Sequence, residues 1–339
     1  MRVVFITQHV DPGHPVLAAT LAKIAALAER ADVSVLALGA LPGQVPATVR
    51  TFGARTKAGR GLRFLGVLRA ELRTRPDLVI AHMCPIYAVL AAPLVRPRRI
   101  RLSLWYTHWR ATPTLRLAER LVNEVTSVDR RSFPLGSAKV RPIGHGIDLA
   151  EFPCRDAGAN TALRVLALGR YSSAKGLDLV LRGLRLAVDA GVDARLVAHG
   201  PASVEHEAAH KRELEALVRE LALVERVRLE GPVQRAEIPR LFAESDVLVN
   251  NMRAGAPDKV VYEAGAGCLP VIASNPVFDE LLPEELRFDR ESSQALAERL
   301  DAFARLDPEE RAAIGRELRK RVAARHSVGS WADAMLRAG

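Results

Sequence analysis

The 339-residue sequence has no apolar run approaching the roughly 20 residues that a membrane-spanning helix needs. A secretory leader is not expected either, because a lone Arg2 precedes Val3-Val4-Phe5-Ile6, which is too short for a leader's apolar core and suits a first strand. Cysteine is scarce. Cys84, Cys154 and Cys268 are odd in number and widely scattered, so their spacing matches neither a disulfide framework nor a zinc site, and a reducing cytoplasm is the expectation. Aromatic residues make up only 5% of the chain. In the most arginine-rich stretch, Arg50 to Arg75, they amount to Phe52 and Phe64, with no nucleic-acid-binding motif around them. A nucleic-acid partner is therefore not expected.

What is present is the balance of a globular enzyme, 49% hydrophobic and 26% charged, with length for two domains. The net charge of +10 is unevenly placed. Residues 1–150 hold 22 Lys+Arg against 9 Asp+Glu, whereas residues 151–339 hold 27 against 30. Such asymmetry suggests that the first half faces an anionic partner. Leu62–Leu72 reads as an amphipathic helix among arginines, either lying on anionic lipid or packing on the core with a basic outer face. The location expected is the cytoplasm, with a peripheral position on the inner face of the membrane if lipid is bound.

Short apolar strands alternate with helical stretches throughout. Strands are expected at Val3–Thr7, Val33–Leu38, Leu78–His82, Leu102–Tyr106, Val125–Val128 and Val140–Ile143, with a helix-like run from Val16 to Arg30 between the first two. The pattern restarts at Val165–Leu168 and continues at Arg195–His199, Arg226–Leu229, Val247–Asn250 and Pro270–Ala273. Helices are expected at Leu177–Asp189, Glu207–Leu223, Lys259–Gly267, Pro308–Arg325, with Asp307 as N-cap, and Ser330–Arg337. This alternation predicts an α/β protein of two doubly wound, Rossmann-like domains, with ligands beyond the carboxyl ends of the strands in the cleft between them. The boundaries expected are 1–155, 156–315 and a helical tail at 316–339 returning toward the first domain, with the linker in the small, polar stretch Asp156–Thr161.

Three segments of the second half carry candidate chemistry. Strand Val165–Leu168 runs into Gly169-Arg170, then Lys175-Gly176 and a helix. A diphosphate at that turn would meet two cations and the free N–H groups of a helix N-terminus. In the second segment, Glu263 lies on a helix beside Ala264, Gly265 and Ala266, where a carboxylate can accept from both hydroxyls of a ribose. The third, Glu230-Gly231-Pro232-Val233 and the stretch from Ile238 to Asp246, reads as a strand-end turn able to line a base pocket.

Taken with Ala243–Val249, Gly267 and Pro270–Ala273, these segments resemble the donor domain of family-4 glycosyltransferases, the retaining, nucleotide-sugar-dependent group with the double-Rossmann GT-B fold. Gly144-His145-Gly146-Ile147-Asp148 through Phe152 is similar to the family's interdomain stretch, with His145 in place of Asn, and Ser327–Trp331 to the start of its terminal helix. The resemblance implies that Arg170 and Lys175 bind the donor diphosphate and stabilise it as the leaving group, and that Glu263 holds the ribose. It also implies donor contacts from Gly169, Pro232 and Val233, an approach to phosphate or acceptor at Gly13 in Asp11-Pro12-Gly13-His14, and a contact at the catalytic centre from His108 in Tyr106-Thr107-His108-Trp109. The chain departs from the pattern at one acid. The family pairs two glutamates with seven residues between them, and the first falls here on Gly255. Some branches carry a small-Pro-x-Lys run there, like Ala256-Pro257-Asp258-Lys259, so Gly255, Ala256, Asp258 and Lys259 join the donor set. No protein nucleophile is implied. No Asp-x-Asp motif is present, so neither a catalytic metal nor a cofactor beyond the donor is expected. The competing readings are a GT-B-fold epimerase, for which no carboxylate pair stands out, and a non-catalytic partner subunit, suggested by the missing acid.

Overall fold

The computed structural model describes residues 1–14, 17–154 and 162–337. The chain folds as two compact units, Met1–Asp148 with Arg325–Gly339, and Leu149–Ala324. The expected linker at Asp156–Thr161 and the start of the first helical run at Val16 lie outside the described residues.

The first unit is built on a seven-stranded parallel sheet, β1 (Arg2–Val10), β2 (Asp32–Ala40), β3 (Thr48–Thr51), β4 (Leu78–His82), β5 (Arg101–Trp105), β6 (Glu124–Ser127) and β7 (Val140–Pro142), in the order β3-β2-β1-β4-β5-β6-β7. Its helices are α1 (Thr20–Ala28), α2 (Lys57–Leu72), α3 (Pro85–Val95) and α4 (Pro113–Leu121). Val3 to Ile6 and Leu78 to Ala81 are fully buried, as expected of inner strands covered on both faces. Strand β3 escapes the sequence pattern because Thr-Val-Arg-Thr is an edge strand with three exposed residues and little apolar signal.

The second unit has a five-stranded parallel sheet, β8 (Leu163–Leu168), β9 (Ala194–His199), β10 (Val227–Glu230), β11 (Val247–Asn250) and β12 (Val271–Ala273), in the order β10-β9-β8-β11-β12. Helices α5 (Leu177–Asp189), α6 (Glu205–Glu220), α7 (Ile238–Ala243), α8 (Lys259–Ala266) and α9 (Ser293–Arg305) surround it. Two expectations are corrected here. Residues Ile238 to Ala243 form a helix rather than a strand-end turn, and Cys154 and Cys268 are joined in a disulfide although 114 positions apart. Sequence spacing concealed that pairing, because the fold brings the two Cα atoms to 4.9 Å.

Helix α10 (Pro308–His326) starts on a capping box, in which Asp307 accepts from the Glu310 amide and Glu310 from that of Asp307, each at 2.8 Å. The chain ends in α11 (Val328–Leu336), part of the first unit, whose Trp331 and Met335 are fully buried. Trp331 meets Trp105 edge-on at 5.7 Å, and the ammonium of the buried Lys23 lies 5.3 and 5.7 Å from the two indole rings. Arg101 donates to the carbonyls of Met335 and Arg337, and Arg141 to that of Ala334, so two arginines satisfy the free carbonyls of this helix end. Helix α2 buries Phe64, Leu68 and Leu72 in the core and exposes Arg63 and Arg69; most of the apolar side of Leu62–Leu72 faces the core, while Leu62 is 72% exposed.

Two buried histidines of this unit make its stability pH-dependent. Burial, assisted by the nearby Lys23, pushes the His82 pKa well below its ordinary value, and neither ring nitrogen has a hydrogen-bond partner among the described residues. Burial, with Arg325 beside it, lowers His326 to about 3. Unfolded imidazoles take up a proton near pH 6.5 and the folded ones do not, so this stability is complete above 6.5 and lost as the pH falls toward the folded values. His326 alone should remove about 2 kcal/mol between pH 7 and 5. Urea midpoints at the two pH values test this, and equal midpoints would contradict it.

Candidate functional site

In a doubly wound sheet the ligand crevice opens where strand order reverses. In the second unit that point lies between β8 and β11, since the chain proceeds to β9 and β10 on one side and to β11 and β12 on the other. A concavity there is lined by Gly169, Arg170, Tyr171, Lys175, Asn250 and Asn251, among others. Gly169, at φ +139°, turns the chain out of β8, and any Cβ on it would strike the Lys175 side chain. Gly176, at φ +54°, then caps the start of α5 in a left-handed conformation open to glycine at little cost. The N-termini of α5 and α8 both follow strand ends on this edge and bring positive dipole ends to it.

The charges form two pairs and one cluster of four. Lys175 bonds Asp258 and reaches the Leu168 carbonyl at 3.3 Å, while Asn250 donates to the same Asp258 oxygen at 2.7 Å. Arg170 pairs with the buried Glu207 at 3.0 Å yet leaves 68% of its side chain exposed, so the guanidinium keeps donors open to an incoming anion. Glu263 is buried, with one carboxylate oxygen 2.9 Å from Arg235 and 2.7 Å from Lys259. Arg235 also bonds Glu151 and stacks over the Phe152 ring. Burial by itself would lower the Arg235 pKa, but the carboxylates of Glu263 and Glu151 outweigh it and the net shift is upward.

The loop at residues 251–258 is held by asparagines that sequence reasoning passed over. Asn251 donates to the Gly176 carbonyl at 3.0 Å and accepts from Ser274 at 2.7 Å. Asn275 donates to the carbonyls of Arg253 and Ala256, both at 2.8 Å. Their signal was amide side chains at the ends of two apolar strands, where polar residues have no place unless they bond. Gly255 lies at φ +78°, in the left-handed region. A glutamate at that position would add backbone strain, a physical reason for glycine where the family pattern has its first acid. Asp258 does not stand free in its place, since its carboxylate is occupied by Lys175 and Asn250.

Arg170, Lys175, Gly169, Asp258 and the loop at Gly255 and Ala256 are thus brought together around the β8–β11 crevice. Lys259 and Glu263 continue along α8. Pro232 and Val233 follow β10 at the sheet edge and connect to this group through Arg235, two residues on, which was not singled out in the sequence. Gly200, also missed, ends β9 so close to β8 that a Cβ would lie 1.8 Å from the Gly169 carbonyl oxygen. Gly13 and His108 belong to the first unit. The Gly13 amide donates to Asp11 at 2.8 Å beyond β1, and His108, exposed beyond β5, stacks on Trp109 and accepts from the Arg110 amide at 3.0 Å.

Residues 162–305 match the family model described as "Glycosyl transferases group 1". A protein of Escherichia coli K12 named as a colanic acid biosynthesis glycosyltransferase, WcaL, is 25% identical over 193 residues, which is 52% of this chain and 45% of that protein. The chain therefore spans less than half of that relative's length. Among solved structures, a glycosyltransferase of Rickettsia africae superposes with a TM-score of 0.75 at 14% identity, covering 98% of this chain and 96% of that one. Anabaena HepE in complex with UDP and glucose gives 0.75 at 19%, covering 98% and 97%. A sucrose-phosphate synthase of Thermosynechococcus elongatus gives 0.72 at 19%, again covering 98% and 97%. At these identities the likeness is one of fold, and the two parallel-sheet α/β units match the fold of GT-B glycosyltransferase structures.

Proposed function

We propose that this chain is a retaining glycosyltransferase that moves a sugar from a nucleoside-diphosphate sugar to an acceptor hydroxyl. The observation that carries the reading is the convergence of Arg170, Lys175 and the α5 N-terminus at the strand-order reversal of the second unit, within the segment that matches the family model. That is a cradle for a diphosphate, and Glu263 on α8 supplies a carboxylate for the ribose. The complexes of HepE with UDP and with UDP-glucose support a UDP-sugar as the first donor to test.

In this reading Arg170 and Lys175 neutralise the charge that develops on the departing diphosphate, and the acceptor oxygen attacks on the face the diphosphate leaves, with no covalent enzyme intermediate. Lys175 is shared between Asp258 and the phosphate. Arg235 and Lys259 orient the Glu263 carboxylate by bonding one of its oxygens. Gly13 and His108 belong on the acceptor and sugar side, and a metal ion is not required. An epimerase is disfavoured because the carboxylates around the crevice, Asp258, Glu207 and Glu263, are all engaged by cations.

A thermal-shift series with UDP, GDP and their sugars tests the donor, since a ligand at a hundred times its Kd stabilises the folded state by about 2.7 kcal/mol. Glu263→Gln should raise the donor KM about tenfold and leave kcat within a few-fold, because the ribose contact is present in ground and transition states alike. A variant with unchanged donor KM would remove Glu263 from the site.

A further inference from the structure

The first unit has a second concave region at the opposite end of its sheet from the loops that carry Gly13 and His108. It lies at the amino ends of β4 and β5, where α2 and α3 finish, and is lined by Arg69, Arg73, Arg75, Asp77, Arg98 and Arg99 with Ile100 at its floor. All five arginines are exposed, and among the described residues none of them forms an ion pair with a carboxylate. The one acid at the rim, Asp77, accepts the Arg2 amide at 2.7 Å.

Two of these arginines sit in a conformation that works against them. Arg75 at φ 53° and Arg99 at φ 57° are left-handed, each just beyond a helical segment, where glycine is the usual residue. Basic side chains at a helix end are partly explained by the helix dipole, and Arg98 does bond the Leu94 carbonyl at 2.7 Å. That accounts for one guanidinium. It does not explain four more without an acidic partner, two of them on strained backbone, and strain of this kind persists where function selects the side chain.

We propose that this groove is an anion site that takes a phosphate-bearing ligand, distinct from the donor crevice in the second unit. Guanidinium forks match phosphate oxygens two at a time, and five around one groove suit a ligand with more than one phosphate or a surface of headgroup phosphates. The proposal is independent of the glycosyltransferase reading.

The test uses the full chain with two probes, inorganic tripolyphosphate by calorimetry and sedimentation with phosphatidylglycerol or phosphatidylcholine vesicles. Binding of tripolyphosphate without vesicle preference assigns the site to a soluble phosphate compound, and selective sedimentation with phosphatidylglycerol assigns it to a lipid headgroup. Either supports the site if Arg73→Gln and the double variant Arg75→Gly with Arg99→Gly each weaken binding about tenfold. The double variant should also keep or raise Tm, because glycine relieves both left-handed positions. Failure of both probes to bind, binding unchanged in both variants, or binding lost only alongside a fall in Tm overturns the proposal. Donor-induced thermal shifts are read in parallel and should not change.

Discussion

Lys175→Ala should lower kcat for sugar transfer by about 10²–10³-fold with saturating donor, the loss expected when one fixed charge facing a developing oxyanion is removed. The expectation rests on placement. The Lys175 ammonium lies over Gly169 at the mouth of the β8–β11 crevice and is held there by Asp258 and the Leu168 carbonyl. Its position is thus set before any donor arrives, which is the condition for stabilising a transition state without reorganisation. Removing it also leaves the Asp258 carboxylate bonded by Asn250 without its cation, a negative charge where the proposed donor phosphate would sit. The change therefore affects both sides of the balance. Arg170→Ala should cost less, because that guanidinium is 68% exposed and screened by solvent. A kcat within threefold of wild type for Lys175→Ala, at unchanged Tm, would remove the leaving-group role.

Gly200→Ala is expected to cost on the order of 4 kcal/mol of stability, more than ordinary overpacking of a core. The new Cβ would meet the Gly169 carbonyl oxygen at 1.8 Å and its carbon at 2.6 Å, and both are backbone. No rotamer relieves such a contact, so the end of β9 must move away from β8. That movement displaces Gly169 and Arg170 together, so donor affinity should fall with stability. Denaturant midpoints and donor-induced thermal shifts on the same sample provide the check. A variant as stable as wild type would show that the two strand ends are farther apart than described.

Much of this molecule was legible in its sequence. The ranges Leu78–His82, Val247–Asn250 and Leu177–Asp189 agree with the structure residue for residue, because buried parallel strands and one-sided helices leave strong apolar periodicities. Elements with weak periodicity went unseen, among them the exposed edge strand β3 and the uniformly apolar α3. At the site, Arg170, Lys175 and Glu263 were nameable because strand-turn-helix punctuation surrounds them, whereas Asp258 entered only through the family resemblance. Arg235, Asn275 and Gly200 were not, since each acts on a residue 28, 19 or 31 positions away. The Cys154–Cys268 pair was hidden for the same reason.

The sequence by itself therefore determined the α/β class, the restart at a second sheet and the charged residues at its strand ends. These are local properties, fixed by period, turn chemistry and residue type. The tertiary structure decided which of those charges meet. It paired Lys175 with Asp258, Arg170 with Glu207 and Glu263 with Arg235. It set glycine at position 255 in a left-handed turn and sank Phe64, Leu68 and Leu72 of α2 into the core, while placing five arginines without a carboxylate partner among the described residues at the far end of the sheet. Pairing depends on strand order and helix placement, which bring distant residues to within 3 Å, and neither is written in any one stretch of chain.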